Sequence, residues 1–360
     1  MRGKRFGAVC AAAAVLLAAC GAASVWAFPK DFPELKGTGG QTAGKILTGF
    51  GGDEKLDKAG NRAGLKHVPV ILLHGNSGSA THAQWGMVPI RDMLFKAGYN
   101  TSEVWAVSYE GDNPYVELMG VHKTHIEDVR AFINAVRDYL GVKKVDVVAH
   151  SLGTTMTLAY MAGYDSSGKF NPQKRGYGNI STFVSLAGAN NGLGQYSVDE
   201  FKTGGDFVKG ISAADGVADQ TPYGSADEGK QTQGYRQVTS LDNGQITYAA
   251  LWAAGDFVDA QLRDTGSLKG ADINKSFDLG SNTNGHEKIM KDQAVFNTFL
   301  PYLNRGKAAG DDREKAASRE MKAEKASAAS ARGFEEKAAS INPARVMNWD
   351  GPATRDIKPR

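Results

Sequence analysis

The run Val145-Asp146-Val147-Val148 leads directly into Ala149-His150-Ser151-Leu152-Gly153. A strand therefore ends in a tight turn with a serine at its centre and a small residue two positions to either side. Such a turn lifts a hydroxyl above the end of a sheet, here with alanine where a glycine is more usual. A serine hydroxyl is a weak nucleophile at neutral pH. It needs a base, a partner that orients the base, and donors for the negative charge that develops on a substrate oxygen. These needs constrain fold and residue order together.

Around the turn, strand and helix patterns alternate, the mark of an α/β chain. Val68–Leu73 is a continuous apolar run, as in a strand covered on both faces. A helix is expected near Pro89–Ala97, closed by Gly98, and a strand over Val104–Tyr109. Thr124 and Glu127 have the spacing of a capping box, and Ile126, Val129, Ile133, Val136 and Leu140 recur at helical spacing up to Gly141. The strand of the serine turn covers Lys144–Val148 and its helix Thr154–Ala162. Ile180–Ala187 and Ile246–Ala254 read as later strands, and Lys288–Leu303 as the last helix. The fold class expected is α/β, with a mostly parallel sheet covered on both sides. A polar, glycine-rich insertion, residues 190–244, precedes the last of these strands and reads as too polar for core.

The chain has 360 residues, 41% of them hydrophobic, enough for one large domain with additional segments. Its net charge of +3 comes without a basic cluster interleaved with aromatics, which argues against a nucleic-acid partner. Arg2, Lys4 and Arg5 precede an alanine-rich apolar stretch, the layout of a signal peptide over residues 1–27. Val25-Trp26-Ala27 suits ordinary cleavage. Leu17-Ala18-Ala19-Cys20 suits a lipobox, which would attach the chain to a membrane through a lipidated Cys20; both readings stand. Cys10 and Cys20 are the only cysteines, so the remainder has no disulfide and no cysteine metal site. Residues 28–66 read as an N-terminal arm, 67–305 as the catalytic domain, and 306–360 as a charged tail rich in Ala, Lys and Glu.

Of the seven histidines, only His286 follows Ser151. If the order is serine, acid, histidine, His286 must be the base. It sits in Asn282-Thr283-Asn284-Gly285-His286, just before the last helix. Spacing alone does not choose among the aspartates between the two. Position at the end of the apolar run Ile246–Ala254 favours Asp256, with Asp259 the runner-up. For the oxyanion donors, the residue after the nucleophile is Leu152. The loop His74-Gly75-Asn76-Ser77-Gly78 after the first buried strand offers Asn76. His122 and His125 lack a third metal ligand and read as the lead-in to a capped helix, so no metal and no cofactor is expected. Trp85, Tyr109 and Tyr115 are candidates for a groove lining, or for core or rim.

With these residues in view, the chain resembles small bacterial triacylglycerol lipases of the Bacillus type, enzymes of the α/β-hydrolase fold. The likeness rests on His74-Gly75-Asn76, Val145–Gly153, Ser185-Leu186-Ala187-Gly188-Ala189-Asn190, Ala254-Gly255-Asp256-Phe257-Val258 and Gly285-His286, and covers about residues 67–303. His74-Gly75-Asn76 and Thr283-Asn284-Gly285 also look similar to a lipase-like extracellular polyhydroxyalkanoate depolymerase. The resemblance implies ester hydrolysis, with Ser151, Asp256 and His286 as triad and Asn76 and Leu152 as oxyanion donors. The expected function is a secreted serine carboxylester hydrolase acting on an acyl lipid or a polyester. A polyester depolymerase is one alternative, and a catalytically silent envelope binding protein another. The insertion, arm and tail depart from the small lipases and leave substrate and oligomeric state open.

Overall fold

The computed structural model describes residues 27–53, 65–82, 84–111, 122–190, 192, 201, 205–212, 246–256, 266–268, 271–280 and 283–303. The expected signal segment with Cys20, Tyr115, Asp259, most of the insertion and the tail 306–360 lie outside them.

Among the described residues seven strands form one sheet: β1 (Gly49–Phe50), β2 (Val70–Leu73), β3 (Val104–Val107), β4 (Val145–His150), β5 (Ile180–Leu186), β6 (Thr247–Ala253) and β7 (Ile273–Phe277). Their order is β1-β3-β2-β4-β5-β6-β7, with β1 antiparallel to β3 and every other pair parallel. Helices cover both faces: α1 (Val88–Lys96), α2 (Ile126–Leu140), α3 (Leu152–Ala162), α4 (Asp206–Ser212), α5 (Thr283–Lys288) and α6 (Gln293–Phe299). This is the α/β-hydrolase fold read from the sequence.

Side chains alternate across a strand. Ile71, Leu73, Trp105, Val147 and Phe183 therefore join Phe132, Val136 and Met156 of α2 and α3 in one buried cluster. Val70, Leu72, Val148, Val184 and Leu251 join Ile90, Leu94, Val295 and Phe299 of α1 and α6 in the other. Because the strands are apolar at both parities, each face must be covered, and the sheet ends up inside the molecule.

Four local expectations are revised. First, the segment read as an arm is built into the domain. The Phe32 ring packs tilted against Trp105 at 5.1 Å, Thr38 donates two hydrogen bonds of 2.7 Å to buried Asp128, and Gly49–Phe50 extends the sheet as β1. Second, the insertion reaches the core after all: Phe201, Val208 and Ile211 are buried. Third, Thr124 is not the N-cap of α2. A 3-10 turn, His122–His125, precedes α2, and His125 takes the cap position without a side-chain cap bond. Glu127 pairs instead with Arg130 and Lys174. Fourth, the last helix starts five residues later than expected, at Gln293, and a separate short helix, α5, precedes it. The Asp292 carboxylate accepts the N–H groups of Ala294 and Val295 and starts α6 afresh.

The Glu103 carboxylate is fully buried beside β3. It accepts N–H groups from Lys66, His67 and Asn100, and its Oε2 lies 2.9 Å from His67 Nδ1. Burial alone would raise its pKa. The His67 side chain and the three backbone donors outweigh burial and hold the pKa below the ordinary 4.5. A depressed folded-state value adds stability above the unfolded pKa, and that stability is lost as pH falls through the folded one. Glu103→Gln should therefore be less stable than wild type at neutral pH, with the difference shrinking below pH 4.5; urea midpoints across pH check this. Phe132→Ala, which empties the contact between α2 and the N-terminal aromatics, should cost about 3–5 kcal/mol by denaturant titration.

Candidate active site

Ser151 occupies the turn between β4 and α3 with φ 50° and ψ −122°. A non-glycine residue there is strained by roughly 1–3 kcal/mol and persists only where its surroundings hold it. The Ser151 N–H donates to the Leu186 carbonyl at the end of β5, 2.9 Å away. Its own carbonyl accepts from the N–H and Oγ1 of Thr154, at 3.0 and 2.7 Å. The turn is thus tied to the neighbouring strand on one side and to its own helix on the other. Leu152 opens α3, so its N–H belongs to the first turn, which has no partner within the helix.

The loop after β2 runs against this turn. A Cβ on Gly75 would sit 2.7 Å from the Ser151 Cβ, and one on Gly153 would sit 2.5 Å from the His74 carbonyl oxygen. Only glycine allows that approach. Gly78 N–H closes the loop onto the Gly75 carbonyl at 3.0 Å, and Asn76 stands exposed at its tip, its Oδ1 3.3 Å from the Ser77 hydroxyl.

Two groups hold this loop: Tyr109, which the sequence left open between groove, core and rim, and Glu110, which it did not assign. Tyr109 is fully buried, so it lines no groove; its hydroxyl donates to the His74 carbonyl at 2.7 Å and its ring stacks on His74 at 4.2 Å. Burial, aided by the neighbouring Glu110 charge, lifts the Tyr109 pKa well above 10.0, so the phenol stays a donor. The Glu110 carboxylate, also buried, accepts the Ser77 N–H at 3.1 Å. No motif flags either residue; a Tyr-Glu pair just past a buried strand is the only sequence trace.

Asp256 lies three residues past the end of β6 and is 1% exposed. Its Oδ2 lies 2.6 Å from Nδ1 of His286. His286 sits inside the short helix α5, not in a loop as expected. The structure thus brings together an acid and an imidazole 30 residues apart in the chain. On the other side, the His286 carbonyl accepts from Nε2 of His150, the residue before Ser151, at 2.8 Å. The next residue, Glu287, accepts from Trp85 Nε1 at 2.5 Å and from Gln84 Nε2 at 2.8 Å. Trp85 is therefore a half-buried strut between the segment after the glycine loop and the histidine helix. Its signal in the sequence was its aromaticity; its partner was legible only in three dimensions.

His125 is buried with Nδ1 3.2 Å from Asp128 Oδ2, part of the contact that holds the N-terminal segment. Among the described residues no group of three or more His, Cys, Asp and Glu side chains could hold a metal.

Residues 67–210 match the family of lipases, class 2. The match takes in the glycine loop and the serine turn and stops before Asp256 and His286. Among solved structures, the chain is similar to Aspergillus fumigatus lipase B at 12% identity and a TM-score of 0.42, with 73% of this chain and 57% of that one covered. It is also similar to Bacillus licheniformis lipase BlEst2, at 14% and 0.37 over 66% and 92%. A third is naproxen esterase from Bacillus subtilis, at 17% and 0.36 over 71% and 85%. The chain spans little more than half the length of the Aspergillus enzyme. The lipase match thus takes in the serine turn, and the structure adds the Asp256–His286 pair outside the matched residues.

Tyr109→Phe leaves the buried His74 carbonyl without its phenol donor. It should cost about 1–3 kcal/mol of stability, measured by denaturant titration.

Proposed function

We propose that this chain is an exported serine carboxylester hydrolase working through an acyl-enzyme on Ser151. The observation that carries the reading is the 2.6 Å contact of Asp256 with Nδ1 of His286, on a helix whose carbonyl is bound to the residue before Ser151. An aspartate on Nδ1 fixes the tautomer in which Nε2 carries the lone pair that takes up a proton.

In this reading His286 Nε2 takes the Ser151 proton as the oxygen attacks the ester carbonyl. The oxyanion forms against the N–H groups of Leu152 and Asn76, with the positive end of α3 beneath it. Collapse expels the alcohol, which receives the proton from His286, and leaves an acyl-serine. Water, deprotonated by the same imidazole, releases the acid and restores the hydroxyl. Asp256 stays ionised and stabilises the imidazolium formed in each half. The strain at Ser151 keeps its oxygen out on the sheet rim, where an ester can reach it.

The signal segment and the division at residue 306 belong to the same proposal. The mass of the mature chain decides whether it begins at Phe28 or at a lipidated Cys20.

p-Nitrophenyl acyl esters should be hydrolysed, and a fluorophosphonate should label Ser151. Ser151→Ala should lose roughly 10⁴–10⁶ in kcat, and Asp256→Asn about 10⁴. A folded wild-type protein with no turnover above the Ser151→Ala control would leave a silent binding protein in its place. Clearing of polyhydroxyalkanoate without triolein hydrolysis would make the substrate a polyester, and the reverse an acyl lipid.

A further inference from the structure

His150 has no role in the chemistry just described, yet it lies among all the parts of the site. It precedes Ser151 at the end of β4 and is buried. Its Nδ1 faces Gly75, where a Cβ would come within 3.0 Å. Its ring lies 4.7 Å from the ring of His286, tilted by 54°, and its Nε2 is 2.8 Å from the His286 carbonyl.

The geometry points to His150 as a positioning residue for His286, a hydrogen-bond donor that fixes the backbone of the base through its own side chain. This rests on the triad reading above and adds a residue to it.

The protonation state follows from the partners. A carbonyl only accepts, so Nε2 of His150 must carry its hydrogen. Nδ1 is buried and has no hydrogen-bond partner among the described residues. A second proton would be a buried orphan donor, costly to leave unpaired. Burial therefore disfavours the cation, and the neighbouring His286 and His74 disfavour it further; together they push the pKa well below 6.5 despite the bond to the His286 carbonyl. Among the described residues, the titratable groups that act on it are these two histidines, with Asp256 beyond, on the far nitrogen of His286.

The consequence is mechanical and electrostatic. His286 is held at two points, its ring by Asp256 and its carbonyl by His150. Both anchors are rooted at the ends of central strands, so the imidazole is carried by the sheet and not by α5 alone, a helix of six residues. A neutral ring also places no positive charge beside an imidazole that must itself become cationic during the reaction. A displacement of about 1 Å in a catalytic base can cost up to 10²-fold, and a two-point hold prevents it.

The test compares His150→Phe, which keeps a ring and removes the donor, with His150→Gln, which can place an N–H near the lost Nε2. His150→Phe should lower kcat on a soluble short-chain p-nitrophenyl ester by about 10–100-fold with KM nearly unchanged. Fluorophosphonate labelling of Ser151 should slow in parallel, and His150→Gln should recover most of both. Folding of each variant is checked by circular dichroism. Wild-type kcat and labelling in folded His150→Phe would overturn the proposal. ¹⁵N-histidine NMR of the wild-type protein tests it without any variant. His150 should hold the Nε2–H tautomer and stay neutral through the ordinary imidazole pKa of 6.5. An Nδ1–H tautomer, or protonation near the ordinary value, would overturn it. Failure of the triad reading looks different: folded wild-type protein would remain unlabelled at Ser151, whatever the state of His150.

Discussion

Everything at the rim of this sheet depends on the chain reversal at Ser151. At φ 50° the backbone leaves β4 and enters α3 within one residue, at a conformation that L-residues avoid. What holds it is the pair of central strands on either side. β5 supplies the Leu186 carbonyl for the Ser151 N–H, and β2 delivers Gly75 against the Ser151 Cβ. The strain can be stored because the sheet beneath is apolar on both faces and covered by helices on both, so it has no soft side on which to relax.

The polar groups near the reversal are arranged so that each is held by another. Tyr109 and Glu110 grip the glycine loop, Asp256 and His150 grip His286, and Trp85 and Gln84 reach across to Glu287. Most of these partners are buried, where a hydrogen bond is stronger than in water and an unmade one is expensive. The loop beside the serine and the helix carrying the imidazole are thereby joined to each other as well as to the sheet. A site of this kind is preorganised, since its donors are oriented before any ester arrives.

The parts that were legible in the sequence share one property. The strands β2, β4, β5 and β6 are runs of apolar residues, and burial of such runs leaves little freedom in how they are used. Ser151 was legible from its small neighbours, and Gly75 and Gly153 from the space they leave. What was not legible involved partners distant in the chain. β7 has exposed Asn274, Lys275 and Ser276, as an edge strand can afford, and so lacks an apolar run. β1 is two residues long. At the start of α2, His125 takes the cap position, and Glu127 pairs with Arg130 of its own helix and with Lys174. The break before α6 did carry a local signal, Asp292, outweighed by the apolar periodicity on both sides of it.

The sequence alone determined that strand and helix alternate, that a serine stands on the turn after a central strand, and that His286 is the one histidine that follows it. Those are consequences of local sterics and of the periodicity with which apolar side chains must be hidden. The tertiary structure alone decided that Asp256 meets His286, that His150 and Tyr109 face inward as donors, and that the N-terminal segment belongs to the sheet. Hydrogen bonds between residues far apart in the chain leave no periodic trace, and they form only when the sheet has brought its strand ends to one edge.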